Sequence, residues 1–376
     1  MGATDPIAYC NDTLTHSSEQ AFKTCPRMYY WQYELGWRPE RDKKPLRMGS
    51  AGHVGIDVLA QDAAPAQAVA AVEAVDDFYS DRLAEATTWT EAVQGQYDLA
   101  MECETVKCLV AGYATAWAES RVEIIESEKV FNLAIVNPET GRSSRTFRQA
   151  GKRDRIGRLP DDRLVLMETK FVGQDITPGS DFWQMAAISS QISKYILAAR
   201  EDGHNIEGAM YDVVRKPTIK PTPVPLLDEH KEHIVLDRWG KRVYTKQGPP
   251  RKTGDANRGF VLQTQPMKPS QWRWKLGQDI KERPDFYYQR REIPRLDADL
   301  DEYRHELWWL AEAVRHCKTS GHWFRNCGAC TRYNTLCRYY PLCAGEVDTT
   351  AGVPAGFRQA SVAHEELQQP EEVMIL

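Results

Sequence analysis

An apolar stretch in the middle of the chain ends abruptly in charge, and this feature constrains the fold more than any other. Residues 164–170 read Leu-Val-Leu-Met-Glu-Thr-Lys. Alternate residues of a β-strand point to the same face, so Glu168 and Lys170 share one. A tight turn before this strand places Asp154 of the preceding strand opposite Glu168 or Thr169. The sequence therefore predicts a hairpin that brings three charged side chains together.

The chemistry of this hairpin follows from the cost of burying charge. Asp154 and Glu168 are expensive to bury side by side unless something compensates for their charge. A divalent cation does so, because Mg²⁺ favours carboxylate and carbonyl oxygens and keeps several waters. Lys170 can then orient or help to deprotonate an attacking water while the cation stabilises charge on a phosphate. A surface ion pair at a strand end is the alternative interpretation.

The pattern around the hairpin predicts the fold class. Short apolar runs separated by turn signals indicate a meander of about three strands over residues 121–170. A further strand is predicted over residues 206–216. At the start of the chain, Ser17 or Ser18 can cap the first predicted helix. Helices are predicted in four regions: 15–40, 47–120, 182–200 and 294–318. Together these elements predict an α/β fold, a small mixed sheet flanked by helices with the charged cluster at its edge.

Two segments stand outside this pattern. Residues 217–270 are rich in Pro, Lys and Gly, which predicts a long insertion with a small hairpin around residues 242–245. It could guide a strand of nucleic acid or be mere decoration. Residues 344–376 are polar and acidic, which predicts a disordered tail. One domain over residues 15–343 is therefore expected.

Composition excludes several classes of protein. With 42% hydrophobic and 27% charged residues, the chain is typical of globular proteins, and its net charge of −5 excludes a globally basic DNA binder. Two local basic stretches, 142–158 and 216–258, are either solvated faces or phosphate contacts. The sequence contains no apolar run of transmembrane length and no secretory pattern at its start. We therefore expect a cytoplasmic location and no membrane partner.

The cysteines are distributed unevenly. Four of the nine, Cys327, Cys330, Cys337 and Cys343, fall within one short segment. An odd number of cysteines in a chain without a secretory pattern argues against a disulfide framework. Close spacing instead indicates metal or iron–sulfur ligation. The scattered Cys10, Cys103, Cys108 and Cys317 are interpreted as ordinary packing or surface residues.

Further polar residues complete an ordered set of motifs. His53 follows small residues at the start of a helical stretch, and Gln191 and Tyr195 share one helical face, with Gln184 two turns earlier. In chain order the motifs are Gly49-Ser-Ala-Gly-His53, Glu128, Gly151-Lys-Arg-Asp154, Glu168-Thr-Lys170 and Gln191-Ile-Ser-Lys-Tyr195. This series resembles the RecB/AddB-like iron–sulfur exonuclease branch of the PD-(D/E)XK nuclease superfamily, which includes CRISPR-associated exonucleases.

The resemblance implies a role for each position. Asp154, Glu168 and Lys170 would be catalytic. Asp154 and Glu168 would hold Mg²⁺ or Mn²⁺ with the Thr169 carbonyl, and His53 would be a further metal ligand. Other positions would contact DNA or support the site, namely Glu128, Gln191 and Tyr195. Glu123 and Glu126 compete with Glu128 for the acidic position.

The same branch holds a [4Fe–4S] cluster with one cysteine before the nuclease core and three after it. In this chain that implies Cys25, Cys330, Cys337 and Cys343, with Cys327 as the alternative to one of the last three. The cluster would join the N- and C-terminal segments. Zn²⁺ on the same thiolates is the alternative cofactor.

The expected activity is metal-dependent hydrolysis of DNA by an exonuclease, acting on single-stranded ends. The resemblance implies a setting in recombination, repair or processing in a bacterium or phage. The sequence contains no Walker A motif, so we expect no helicase motor in this chain. A recombination or helicase protein is a candidate partner. The alternatives are a catalytically inactive DNA-end-binding protein and a zinc-stabilised scaffold.

Overall fold

The computed structural model describes residues 12–40, 43–61, 66–88, 92–119, 122–332, 335–350 and 352–368. Cys10 and the end of the predicted tail lie outside these ranges. The α-helices are α1 (His16–Thr24), α2 (Pro26–Tyr29), α3 (Lys44–Gln61), α4 (Ala66–Glu85), α5 (Ala92–Ala116), α6 (Asp181–Ala187), α7 (Ser190–Glu201), α8 (Pro269–Glu282), α9 (Pro284–Tyr287), α10 (Asp297–Ser320) and α11 (Tyr340–Ala344). A short π-helix, Tyr30–Glu34, follows α2.

The strands fall into one central sheet and several short pairs. They are β1 (Thr13–Leu14), β2 (Trp37–Pro39), β3 (Glu123–Val136), β4 (Ser143–Arg158), β5 (Leu164–Val172), β6 (Ile206–Arg215), β7 (Val224–Pro225), β8 (Val235–Leu236), β9 (Val261–Leu262), β10 (Thr264–Gln265), β11 (Tyr288–Pro294), β12 (Thr331–Arg332), β13 (Thr335–Leu336) and β14 (Phe357–Gln359).

The central sheet is mixed, as predicted. The meander β3–β4–β5 is antiparallel, β6 runs parallel to β5, and β11 closes the far edge antiparallel to β6. The short strand β1 pairs in parallel with β4 at Arg148 and Gln149. Strands β1 and β5 thus pair with different segments of the same edge of β4. Asp154 lies between these two segments.

Helices cover both faces of the sheet. One core lies between the sheet and helices α1, α7 and α10, and contains Ile192 and Leu307. The other lies between the sheet and helices α3, α4, α5 and α8, and contains Ile56 and Leu276. Residues 165–167 of β5 are almost fully buried, which explains why this strand is a continuous apolar run rather than an alternating one. The result is the mixed sheet flanked by helices that the sequence predicts.

Some local predictions were wrong. Helix α1 is capped by Thr15, whose Oγ1 accepts the N–H of Ser18 (3.2 Å), so neither Ser17 nor Ser18 is the cap. The helix predicted over 182–200 is two helices, α6 and α7, interrupted at residues 188–189. By contrast, the small hairpin predicted around residues 242–245 is confirmed: these residues lie between turns at 237–241 and 245–249 and make antiparallel bridges on both sides.

Within the segment predicted to be a disordered tail, the described residues 352–368 pack against the N-terminal region. Strand β14 pairs with β2, where Phe357 lies opposite Pro39. His364 is 4% exposed, and its ring stacks on Tyr33. The physical reason is that a few apolar and aromatic residues of this polar segment find partners in the N-terminal region. Within the described ranges, no helix has the length and apolar character needed to cross a membrane.

Candidate active site

The hairpin of β4 and β5 places Asp154 beside the end of β5. The two strands pair from Arg158 opposite Leu164 to Arg155 opposite Met167. One step further, the Thr169 N–H donates to Asp154 Oδ2 at 3.0 Å. This is the register that the sequence predicts. It holds the Asp154 carboxylate against the backbone that joins Glu168 to Lys170.

A chain of hydrogen bonds runs from Glu168 across to helix α7. Lys170 Nζ lies 2.5 Å from Glu168 Oε1 and 2.7 Å from Gln191 Oε1. Gln191 Nε2 in turn donates to the Tyr195 hydroxyl at 3.2 Å. The structure therefore brings together four residues that the sequence singled out. Gln184 does not join them, because it lies on α6 and donates to the Gly179 carbonyl.

Glu168 is the most deeply buried member of this group. It is 1% exposed, and its Oε2 has no hydrogen-bond partner among the described residues. Burial and the nearby Asp154 carboxylate raise the pKa of Glu168 to about 7, although Lys170 acts in the opposite direction. A buried carboxylate oxygen without a donor is costly, and a divalent cation held with Asp154 would satisfy it. The donor set therefore fits a hard cation.

Helix α3 brings His53 to the same place. His53 Nδ1 lies 3.7 Å from Asp154 Oδ2. Burial lowers the pKa of His53, so the imidazole is neutral near pH 7, the form that ligates metals. The preceding residue explains the close approach, since a Cβ on Gly52 would lie 2.1 Å from Cζ of Phe171 on β5. A larger residue at position 52 would force the Phe171 ring or helix α3 to shift.

Asp57 is a site residue that the sequence interpretation missed. It lies one turn after His53 on α3, and burial raises its pKa to about 7, with Arg155, Glu128 and Asp154 as charged neighbours. The i, i+4 spacing from His53 was the available signal. It places Asp57 on the same face of the helix as the candidate metal ligand.

Arg155 was also missed. It is 3% exposed, lies on the face of β4 opposite to Asp154, and its Nη2 donates to Thr169 Oγ1. The Thr169 backbone N–H holds Asp154 on the other side. Arg155 therefore fixes the residue whose amide orients Asp154 and whose carbonyl is the predicted third metal ligand.

The three acidic candidates on β3 lie in different surroundings. Glu128 bonds Lys152 at 2.8 Å and is a charged neighbour of His53 and Asp57. Glu126 instead contacts Arg153, and Glu123 lies 3.3 Å from Arg158. Glu128 also has a positive φ of 51°, a conformation that non-glycine residues rarely adopt outside strained or functional positions. The geometry thus favours Glu128 over its two competitors.

Three members of the basic stretch 142–158 are structural, whereas Arg142, Arg145 and Arg148 are exposed. Arg153 is 1% exposed and contacts Glu126 and Asp202. Arg155 is buried, and Lys152 is paired with Glu128. These side chains are therefore not a free phosphate-binding face.

Four cysteines line one cavity between the N- and C-terminal segments. They are Cys25, Cys330, Cys337 and Cys343, and exposed Cys327 is not in the lining. Two bonds hold thiols in place: the Trp31 indole N–H donates to Cys343 Sγ, and the Asn326 N–H donates to Cys25 Sγ, each at 3.4 Å. Buried Cys103, Cys108 and Cys317 lie elsewhere, as expected for packing residues.

Neither set of residues is arranged as a finished metal site. Across the part of the chain that the structure describes, no three or more His, Cys, Asp or Glu side chains converge as ligands of one ion. The carboxylates of the hairpin and the four thiols are candidate donors on the basis of their chemistry and proximity.

Comparison with known families identifies the class of protein. The chain is a member of a nuclease family. The model that matches is that of the PD-(D/E)XK nuclease superfamily, over residues 13–343, and the chain belongs to this superfamily. Its members are mostly metal-dependent nucleases that use divalent cations such as Mg²⁺ or Mn²⁺. No curated protein matches the chain significantly.

Proposed function

We propose that this protein is a Mg²⁺- or Mn²⁺-dependent deoxyribonuclease whose active site is formed by Asp154, Glu168 and Lys170. One observation carries the proposal: among the described residues, buried Glu168 has an oxygen without a hydrogen-bond partner, next to a second carboxylate and a lysine. The (D/E)XK letters of the superfamily name match Glu168-Thr169-Lys170. DNA is the substrate that membership of this superfamily suggests.

The roles of the residues follow from their positions. Asp154, Glu168 and the Thr169 carbonyl would hold the cation, and His53 would add a nitrogen ligand that accommodates Mn²⁺ as well as Mg²⁺. When bound, the cation supplies Lewis acidity to the phosphate. Lys170 would orient a water for in-line attack, in which the water oxygen bonds to phosphorus and the bond from phosphorus to the 3′-oxygen breaks. The 3′-oxygen leaves as a hydroxyl, and its proton is balanced by the proton that the water loses.

Supporting residues keep this arrangement in place. Gln191 accepts a hydrogen bond from Lys170 and is itself held by Tyr195. Glu128 places a further negative charge near His53 and Asp57. We assign these three residues to support of the site, with Gln191 and Tyr195 close enough to it to contact DNA as well.

We further propose that the enzyme is an exonuclease on single-stranded ends, by analogy with the RecB/AddB-like branch that the motifs resemble. The test uses end-labelled linear single strands and covalently closed single-stranded circles of the same sequence, each with Mg²⁺ or Mn²⁺. An exonuclease degrades the linear strand and leaves the circle intact. Cleavage of the circle would contradict the exonuclease assignment and identify an endonuclease. Binding of ends without any cleavage would identify the inactive end-binding alternative.

The four-thiol cavity supports a [4Fe–4S] cluster on Cys25, Cys330, Cys337 and Cys343. Thiolates are the ligands of such clusters, and this set closes a loop of about 300 residues, where the chain-entropy model gives a cross-link its largest effect. Around the cavity, aromatic residues of both segments, Trp31, Trp37 and Tyr339, already pack together.

Anaerobic purification followed by an absorbance spectrum and metal analysis tests the cluster. A brown protein with about four irons per chain supports it. A colourless protein with one zinc supports the zinc alternative. A metal-free protein with intact activity excludes both the iron–sulfur cluster and the zinc site. The biological setting that we propose is DNA recombination, repair or processing in the cytoplasm of a bacterium or phage-infected cell, alongside a recombination or helicase partner.

A further inference from the structure

The insertion begins at the edge of the candidate active site. Strands β5 and β6 are parallel and end side by side, so the Lys216 N–H donates to the Val172 carbonyl at 2.7 Å. Val172 is two residues beyond Lys170. The Lys216 side chain bonds the Pro45 carbonyl at the start of α3 (2.9 Å), the helix that carries His53. The polypeptide that follows therefore leaves the sheet at the rim of the site.

The insertion is a folded β-module. Strand β8 pairs with β9, and β7 with β10, so the two ends of the segment are tied together. Val235 of β8 is fully buried. Isolated bridges join Leu236 to Arg242 and Tyr244 to Pro250 along successive turns. A module held in this way presents its turns in fixed positions.

The turn at residues 237–241 presents an exposed tryptophan. Asp237 Oδ1 accepts the N–H groups of both Trp239 and Lys241, each at 2.9 Å. Trp239 at the tip is 73% exposed, and the Arg238 guanidinium lies 4.7 Å from the centre of its ring. An indole on a fixed turn contributes little to the core of its own chain, and its ring face is open to an external partner.

The insertion carries exposed positive charge, and Arg238 and Lys241 lie in the same turn as Trp239. Several exposed cations on the module have no ion-pair partner among the described residues, namely Lys231, Arg238, Lys241, Lys246 and Lys252. The three aspartates are occupied within the module: Asp237 holds the turn, Asp228 pairs with Arg242, and Asp255 lies 3.3 Å from Arg251. The other two carboxylates are Glu229, which is exposed beside His230, and half-buried Glu232. A second exposed ring, Tyr244 at 55%, follows on the same hairpin.

Exposed rings among free cations match the chemistry of single-stranded nucleic acid. Base–aromatic stacking needs a base whose face is open, and cations follow the phosphates. In a duplex the faces of the bases are covered by their neighbours. We propose that Trp239 stacks on an unpaired base of the substrate, and that Arg238 and Lys241 of the same turn, together with the other exposed cations of the module, bind phosphates of the strand that leads to Glu168 and Lys170. This inference rests on the proposed function, and it names single-stranded DNA as the substrate.

The test is binding of a fluorescein-labelled oligothymidylate, measured by anisotropy in EDTA so that no cleavage occurs. Trp239→Ala is expected to weaken binding about 5- to 100-fold, the range for losing one stacked base. Trp239→Phe keeps an aromatic face and should stay within a few-fold of wild type. The matched control is Trp309→Ala on α10 in the opposite layer, where the indole is also exposed, at 64%. Equal loss in Trp239→Ala and Trp309→Ala, no loss in Trp239→Ala, or no binding by the wild type would overturn the inference.

This design separates the inference from the proposed function. A wild type that cuts no DNA with Mg²⁺ or Mn²⁺ would refute the nuclease, whereas Trp239-dependent binding would still support the stacking site. A wild type that cuts DNA, with binding that does not depend on Trp239, would refute the stacking site alone. In the active enzyme, Trp239→Ala is expected to raise KM and leave kcat nearly unchanged, because Trp239 touches no reacting atom.

Discussion

The link between helix α7 and Lys170 gives the sharpest prediction of a residue's contribution. Lys170 Nζ has hydrogen bonds to Glu168 Oε1 and to Gln191 Oε1, the latter at 2.7 Å. Gln191→Leu removes the second acceptor and keeps a side chain of similar size. Lys170 then keeps only its hydrogen bond to Glu168. Its ammonium is no longer held in the position from which it orients the attacking water.

The expected loss of activity follows from the strength of the hydrogen bond between Lys170 and Gln191. A hydrogen bond to a charged group contributes about 1.5–3 kcal/mol. The Lys170 side chain is 31% exposed, so water replaces part of the lost bond, and we reduce the effect to about 1–2 kcal/mol. This corresponds to a fall in kcat/KM of about 5- to 30-fold. Tyr195→Phe removes a longer, neutral bond of 3.2 Å and keeps the ring packed on Phe131, so a loss of only about two- to five-fold is expected.

The assay is the rate of nucleotide release from labelled single-stranded DNA at saturating Mg²⁺, with thermal unfolding of each variant as the control for folding. Activity should fall in the order Tyr195→Phe, Gln191→Leu, Lys170→Ala. The reasoning is refuted if Gln191→Leu retains wild-type activity, or if Tyr195→Phe is more severely affected than Gln191→Leu while both remain folded.

Three further predictions concern helix docking, acid stability and the cysteines. Gly52→Ala should lower the free energy of unfolding by about 1–3 kcal/mol through overpacking against Phe171 and weaken Mn²⁺ binding measured by calorimetry; Gly49→Ala, where a Cβ meets nothing within 4 Å, is the control and should not destabilise the protein. Burial acts to raise the pKa of Glu126 and Asp202, but Lys129 and Arg153 outweigh it and hold each pKa below its ordinary value of 4.5 or 3.8. The folded state thus binds these protons less tightly than the unfolded state, so their stabilisation is present above those values and is lost as pH falls through the lower folded pKa values. In urea titrations, Glu126→Gln combined with Asp202→Asn should therefore flatten the decline of stability between about pH 5 and pH 3, and an unchanged slope would contradict this. Cys337→Ser should lose bound iron whereas Cys327→Ser should keep it, and equal iron in both variants would exclude this choice of ligands.

The hairpin could be predicted from sequence because all its determinants are local. A turn, an apolar run and a two-residue spacing fix which side chains of β4 and β5 meet, and Asp154 does meet the backbone at Thr169. The helix spacing of Gln191 and Tyr195 is likewise local, and these two residues lie on one face as expected. In each case the register depends on neighbours within one element or one turn.

Residues that depend on docking between distant elements were harder to find. Asp57 and Arg155 acquire their surroundings only when α3 packs on the sheet, and the close fit of Gly52 against Phe171 controls that packing. The pairing of β14 with β2 joins segments more than 300 residues apart and leaves no periodic signal in a polar segment. Composition predicted disorder there because it measures the average polarity and not the few residues that find partners.

The most direct test of the central claim is the metal-dependent cleavage of DNA by the wild type and by Glu168→Gln, which keeps the size of the side chain and removes its charge. The account predicts that the wild type degrades linear single-stranded DNA with Mg²⁺ or Mn²⁺ and not in EDTA, and that Glu168→Gln is folded and at least about 100-fold slower. A wild type that cuts no DNA with either cation, or a Glu168→Gln variant that cuts as fast as the wild type, would contradict it.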